Sequence, residues 1–546
     1  MKIQLKLPLY IFPLVYLILG FYFRQIFGDL SLRSTDPDYI YFISGMCVST
    51  GQFDQANIDH PGSALQLVLG LVFRLIYLIR GKSLPFFEDA MIHSDLYLSV
   101  GNLMITVILA LALLWAGISV YKITKNYVYA VIIQTGPFLI EVWYEIIGRI
   151  YPELFILIPL LILQVQILKL LYQDNQMSTK DILIFSFAIA MGMAVKMTFL
   201  PFAIIPLLLL KSAKAKLQFL FSAILFFLII ALPVTFQLEK FWNWMKGIFI
   251  HSGMYESGAK NVVDLNVFAA NLQHLVSSQK PFFIVLSVFI ISLLVLFFMK
   301  SPQAARRKIL INIGLSLIIT LAGAIFIISK QFAIRYFMPA LLLYPFLLIL
   351  ISENIQQFFK IRHQRLILNI LIAMVILMGL RKHMPYLRIA SEGIGKDMQA
   401  RMDSRNFIKT LPRNSYKIIA TQDYGCPFQE YSAMYCFCVG GKEWPGHVEI
   451  MNSIYPDTYF HFTGDNTIRG WGDEFDPEKV IHSGKPVYLY LEKNNAENFS
   501  KTIGKLFEKH PEFKVEKEIL FENPVNGEGI LQLFIQRDTA QPDKTI

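Results

Sequence analysis

Up to about residue 381 the chain reads as apolar runs separated by short polar connections, most runs being near the length a helix needs to cross a hydrocarbon layer. The runs fall near residues 8–23, 96–120, 127–142, 153–172, 181–195, 198–210, 217–237, 281–299, 309–329, 336–352 and 366–381, which predicts about eleven transmembrane helices. The first follows Lys2 and Lys6 as a signal sequence would, but no small-residue cleavage site comes after it, so it reads as a retained span. Beyond residue 381 the period changes. Short strand-like runs at Tyr416–Thr421, Pro486–Leu491, Phe513–Phe521 and Ile530–Gln536 predict strands, and Ala496–His510 predicts an amphipathic helix.

Basic residues orient such a chain, because Lys and Arg concentrate in the short loops that stay inside. With an inner N-terminus and alternating helices, one set of loops collects Lys122 and Lys125, Lys180, Lys211, Lys214 and Lys216, Lys300 with Arg306, Arg307 and Lys308, and Lys360 with Arg362 and Arg365. The assignment holds only if the apolar stretch Leu65–Ile79 does not cross, so it is placed along the membrane surface within one long outer loop, residues 29–95. The expected fold class is therefore an α-helical polytopic membrane protein. Its membrane domain covers residues 1–381, and a soluble extracytoplasmic α/β domain covers residues 382–546.

Composition agrees with the pattern. The 546 residues are 55% apolar and 16% charged, against about a quarter charged in soluble domains. The net charge of +10 belongs to the membrane part: residues 1–381 carry 30 Lys/Arg against 17 Asp/Glu, residues 382–546 carry 20 against 23. Inner-loop orientation explains that excess, so no nucleic-acid partner is expected. The four cysteines, Cys47, Cys426, Cys436 and Cys438, all fall on the outer side; Cys426 with Cys436 or Cys438 is a candidate disulfide, and free thiols are the equal alternative.

Charges are tolerated in a membrane domain where they are paired or line a polar cavity, so ionisable residues near span ends are the candidate chemistry. They gather at the predicted outer side: Asp36-Pro37-Asp38-Tyr39, Asp59-His60-Pro61-Gly62, Arg149 and Glu153, Lys196 within an apolar run, Lys330, and Arg335-Tyr336-Phe337-Met338-Pro339. A carboxylate there can serve as general base towards a hydroxyl, while Lys and Arg neutralise a departing phosphate. Simpler readings stand beside these: Asp36-Pro37 as a turn, His60 as structural, Arg335-Tyr336 as an interface anchor. Lys196 is the hardest to dismiss, since a charge in such a run is costly unless it finds polar company or snorkels outward near Pro201.

In order and residues these segments resemble the GT-C superfamily of integral-membrane glycosyltransferases, which includes protein O-mannosyltransferases, lipid A aminoarabinose transferases and oligosaccharyltransferases. Asp36-Pro37-Asp38-Tyr39 looks like the acidic first-loop motif, His60-Pro61 like the element before the surface helix, and Arg335-Tyr336 with Pro339 like the late motif heading a span. Pro37 between the two acids departs from the Asp-Glu form of the O-mannosyltransferases, which leaves the division of labour between Asp36 and Asp38 open. The resemblance implies catalytic roles for Asp36 and Asp38. It implies binding of donor and phosphate by His60, Arg149, Glu153, Lys196, Lys330, Arg335 and Tyr336.

What it implies as function is inverting transfer of one sugar from a polyprenyl-phosphate sugar donor to a glycan, lipid or protein acceptor. The protein would be a multi-pass cell inner-membrane enzyme among membrane lipids, with its active site and C-terminal domain on the extracytoplasmic side. No metal is obligatory for a lipid-monophosphate donor; convergence of Asp36 and Glu153 would admit Mg2+ or Mn2+. The competing reading is a transporter or flippase of lipid-linked sugars, which calls for polar residues along a path through the membrane.

Overall fold

The computed structural model describes residues 7–33, 35–81, 83–173, 177–252, 258–298, 303–358, 364–438, 441, 443–444 and 446–537. Lys2, Lys6, Lys300, Lys360 and Arg362 of the orientation argument lie outside them. The chain forms two compact units, one from Met1–Arg24, Val48–Val72 and Gly101–Ala390, the other from Gln25–Cys47, Phe73–Val100 and Ser391–Ile546.

The first unit is helical. Across the chain, eight helices among the described residues are long and apolar enough to cross a membrane: Pro8–Phe27, Ser94–Thr124, Pro152–Tyr172, Ala213–Ile230, Lys280–Phe298, Ala304–Lys330, Ile334–Ile355 and Leu366–Ile408. These account for eight of the expected spans. The other three are shorter: Tyr127–Leu139, Thr179–Val195 and Met197–Leu209. Two of these shortenings have a local cause. Residues Ile133–Leu139 and Met197–Ala203 tighten into 3₁₀ turns around Pro137 and Pro201, whose missing N–H interrupts the α-helical ladder. Ser63–Ile79 is a 17-residue helix with Leu65, Leu69 and Val72 buried and Leu71, Leu75 and Leu78 exposed.

The second unit carries a six-stranded sheet. Its strands are β1 (Tyr416–Thr421), β2 (Thr458–Phe462), β3 (Thr467–Gly470), β4 (Val487–Leu491), β5 (Phe513–Glu522) and β6 (Gly529–Arg537), in the order β3-β2-β1-β4-β6-β5. β1 lies parallel to β2 and β4, and β3, β6 and β5 extend the sheet by antiparallel pairing. Parallel neighbours need a crossover; here it runs through helices Gln429–Cys438 and His447–Ile454 from β1 to β2, and through Pro477–Ser483 from β3 to β4. One core cluster, including Tyr416, Ile418, Leu489 and Leu531 of the sheet and Leu506 and Phe507 near the end of helix Ala496–Leu506, holds these layers together.

Arg405 ties the N-terminal segment into this unit. Its guanidinium pairs with Asp29 and donates to Ser31 Oγ at 2.6 Å and to the Pro427 carbonyl at 2.7 Å. Asp29 in turn caps the 3₁₀ turn Leu30–Leu32 by accepting from the Ser31 N–H at 2.8 Å.

None of the four cysteines forms a disulfide, and all belong to this unit. Burial pushes the Cys438 thiol up to about 11 and holds that of Cys426 well above the ordinary thiol value. At pH 8 about one Cys438 thiol in a thousand is therefore ionised, and the thiolate is the nucleophile. Iodoacetamide should label Cys438 far more slowly than free cysteine at pH 8, with the rate rising steeply above pH 10. Labelling at the ordinary rate, followed by peptide mass spectrometry, would contradict the burial argument.

Candidate active site

In the helical unit the chain reverses at Lys196. Helix Thr179–Val195 ends there with Lys196 in extended geometry (φ −159°, ψ 132°), and the 3₁₀ segment Met197–Ala203 folds back against it. Gly192 permits this reversal, since a Cβ there would lie 2.2 Å from the Phe199 ring. The break leaves Lys196 buried with 2% exposure. Its ammonium donates to Glu153 Oε1, and it stands 3.9 Å from the centre of the Tyr336 ring.

Glu153 opens the short helix Pro152–Phe155, with Pro152 at its first position and Tyr151 as an extended cap. It too is 2% exposed. Besides Lys196 it meets the Arg335 Nε at 3.9 Å, while its second oxygen, Oε2, is buried with no hydrogen-bond partner among the described residues. Arg335 and Tyr336 sit on the 3₁₀ turn Ile334–Phe337, and Arg335 keeps 43% of its side chain exposed. One carboxylate thus lies between two cations, and the more accessible cation faces outward.

His60 completes the cluster from a strained loop. Its φ of 59° falls in the left-handed region that a residue with a Cβ seldom adopts. The loop is latched in place: the Gly62 N–H donates to the Val195 carbonyl at 3.1 Å, and Gln66 donates to the carbonyls of Asn57 and Pro61 at 2.8 and 3.2 Å. The His60 ring packs edge-on to Trp244 at 5.5 Å and against Tyr336 at 5.4 Å, with its Nε2 3.4 Å from the Tyr336 hydroxyl. Burial, with the charges of Lys196 and Arg335, holds its pKa well below the usual histidine value. His60 is therefore neutral at pH 7 and offers a hydrogen bond rather than a charge.

A cavity of about 690 Å³ adjoins this cluster. Asp59, Glu239, Lys240, Asn243 and Trp244 line it, so carboxylates, an amide and an indole face one space. In the sequence Asp59 stood out only as part of its loop. Glu239, Lys240 and Asn243 were missed. The available signal was their spacing: residues 239, 240, 243 and 244 share one side of helix Leu238–Ile250.

Of the residues singled out from sequence, His60, Glu153, Lys196, Arg335 and Tyr336 come together. Lys330 is placed elsewhere: its ammonium donates to the carbonyls of Ile248 and Phe249 at 2.7 and 2.8 Å, closing the end of helix Leu238–Ile250. Arg149 lies over the Tyr151 ring at 4.6 Å. Asp36 and Asp38 belong to the other unit. There Asp36 is exposed in extended geometry before a cis Asp36–Pro37 peptide, and Asp38 is fully buried. Among the described residues, no group of three or more His, Cys, Asp or Glu is arranged to hold a metal ion.

The buried pair sets a stability test. Removing one partner of a buried ion pair costs about 3–5 kcal/mol because the other charge is left uncompensated. Glu153→Gln and Lys196→Met should each lower the free energy of unfolding in detergent by that order, while the double variant should lose much less than the sum. Additive losses would show that the two groups are not coupled.

No protein-family model matches the chain, and neither does any curated protein. Among solved structures, the chain is similar to the crystal structure of ArnT from Cupriavidus metallidurans bound to undecaprenyl phosphate, with 10% sequence identity and a TM-score of 0.48, over 96% of this chain and 97% of that one.

Proposed function

We propose that this chain is a membrane glycosyltransferase that takes a sugar from a polyprenyl-phosphate donor and passes it, with inversion, to a hydroxyl-bearing acceptor on the extracytoplasmic face of a cell inner membrane. The observation that carries this reading is the buried Lys196–Glu153 pair with Arg335 at its accessible edge, beside a cavity where Asp59, Glu239, Lys240, Asn243 and Trp244 face one space. A surplus positive charge at the end of a membrane helix suits a lipid phosphate, and a cavity of carboxylates, an amide and an indole suits the hydroxyls and ring face of a sugar.

In this mechanism Arg335 takes the donor phosphate in charge-assisted hydrogen bonds and stabilises the charge that grows on it as the glycosidic bond breaks. Lys196 and Glu153 position Arg335 and Tyr336. Neutral His60 donates one hydrogen bond without competing for the carboxylate. Acceptor activation rests with Asp36 by the sequence resemblance, and its exposure, against the burial of Asp38, favours Asp36 as the base. No step is routed through a metal.

The test uses purified protein in lipid with radiolabelled polyprenyl-phosphate sugars and a membrane glycan extract. Wild type should move label to an acceptor, and Asp36→Asn should lower turnover by about 10²–10⁴ while still binding donor. Normal turnover in Asp36→Asn removes it as base. Arg335→Ala should weaken binding of unglycosylated polyprenyl phosphate by about tenfold or more, the loss of a charge-assisted hydrogen bond; unchanged affinity removes Arg335 from the phosphate site. Label that changes leaflets without transfer would favour a flippase.

A further inference from the structure

Away from the ion cluster, the helical unit has a second recess that the reading above does not use. Helices Lys280–Phe298, Tyr344–Ile355 and the first half of Gln364–Ile408 enclose an apolar groove of about 480 Å³, lined by side chains such as Val288, Leu348, Ile351, Leu371 and Val375. Among its lining residues Lys382 alone is charged. From Leu368 to Lys382 the groove follows the helix for 14 residue steps, about 21 Å at the usual rise of about 1.5 Å per residue. Half of a hydrocarbon core is about 15 Å, so the groove takes one extended hydrocarbon chain along its whole length.

At its Lys382 end the groove meets a small polar recess of about 40 Å³, which shares Pro281, Tyr344, Gly379 and Lys382 with it and adds Glu141, His383, Ser278 and Gln279. Neither Glu141 nor Lys382 forms an ion pair among the described residues. The wall therefore presents, in order, an apolar length, a cation at the rim and a carboxylate in the recess. A few waters' worth of space admits an aminoethyl end and excludes a sugar ring.

We propose that this groove and recess form a dedicated seat for one zwitterionic aminophospholipid, with an acyl chain in the groove, its phosphate on Lys382 and its primary ammonium on Glu141. The match is one of charge order as well as shape. An anionic lipid would set its headgroup against Glu141, and a bulkier headgroup would not enter the recess. The seat also bears on the ion cluster: Phe282, at the recess, packs edge-on against Phe337 at 5.7 Å, and Phe337 belongs to the same turn as Arg335 and Tyr336. An occupied seat buttresses the turn that presents Arg335.

Native mass spectrometry of the purified full-length protein, exposed to equimolar phosphatidylethanolamine, phosphatidylglycerol and phosphatidylcholine, tests this directly. Wild type should retain one phosphatidylethanolamine in preference to the other two. Glu141→Gln should lower the ethanolamine-to-glycerol preference by about tenfold, as one charge-assisted hydrogen bond is lost, and Lys382→Ala should weaken retention of both. Leu371→Trp, which fills the groove at an exposed position, should exclude lipid with the headgroup residues intact, and gives the same readout if Glu141→Gln fails to purify. Equal retention of the three lipids by wild type, or an unchanged preference in Glu141→Gln, overturns the proposal. Displacement of the bound phospholipid by a polyprenyl phosphate overturns it too, in favour of a donor-tail seat. None of these readouts depends on glycosyl transfer.

Discussion

A charge removed from water must be answered by another, and in this chain that constraint decides where the backbone bends. Lys196 is answered by Glu153, Arg405 by Asp29, and Arg306 by Glu353, whose carboxylate also accepts from the hydroxyls of Tyr129 and Tyr172 at 3.0 and 2.7 Å. At least one partner in each pair is nearly or fully buried. Each joins segments far apart in sequence, so the pairs fix tertiary geometry that apolar packing, being non-directional, leaves loose. Their net contribution to stability is small, but the penalty for breaking one is large. That asymmetry gives the helical unit a defined arrangement at the place where Arg335 is presented.

The ion cluster stands where helices break. Lys196 lies between an α-helix and a 3₁₀ segment, Arg335 lies on a 3₁₀ turn after an extended residue, and Glu153 lies in the first turn of a very short helix. Within a membrane domain, backbone that leaves the regular helix is tolerated only where protein or a polar cavity satisfies it. The same irregularity that shortens the spans therefore supplies converging polar groups. His60 extends the rule to the backbone, its left-handed conformation being held by a loop whose Gly62 bonds to the residue just before Lys196.

The large features were legible in sequence because they rest on period and length. The eight long helices follow from apolar runs, and strands β1, β4, β5 and β6 lie within a residue of the runs that predicted them. Strands β2 and β3 were not seen. Thr458–Phe462 is buried on both faces and so does not alternate, and its His461 is satisfied by Thr502 and Asn466, partners that no local pattern discloses. Within the candidate site, Lys196 was conspicuous because a lone charge in an apolar run demands an explanation. The position of Lys330 on the carbonyls of Ile248 and Phe249, and the cavity beside Trp244, depend on the path of the loop between residues 238 and 280. Spacing along the chain carries little information about such a path.

The Oε2 of Glu153, buried with no hydrogen-bond partner among the described residues, has one more consequence. A buried acceptor without a donor weakens the folded state, and any molecule that brings a hydroxyl or amine to it returns that free energy as binding. Occupancy and heat resistance are then linked quantities, since a ligand that binds only the folded chain raises its stability in proportion to the logarithm of its concentration. Candidate ligands can in that way be ranked by how far each one shifts the melting of the protein.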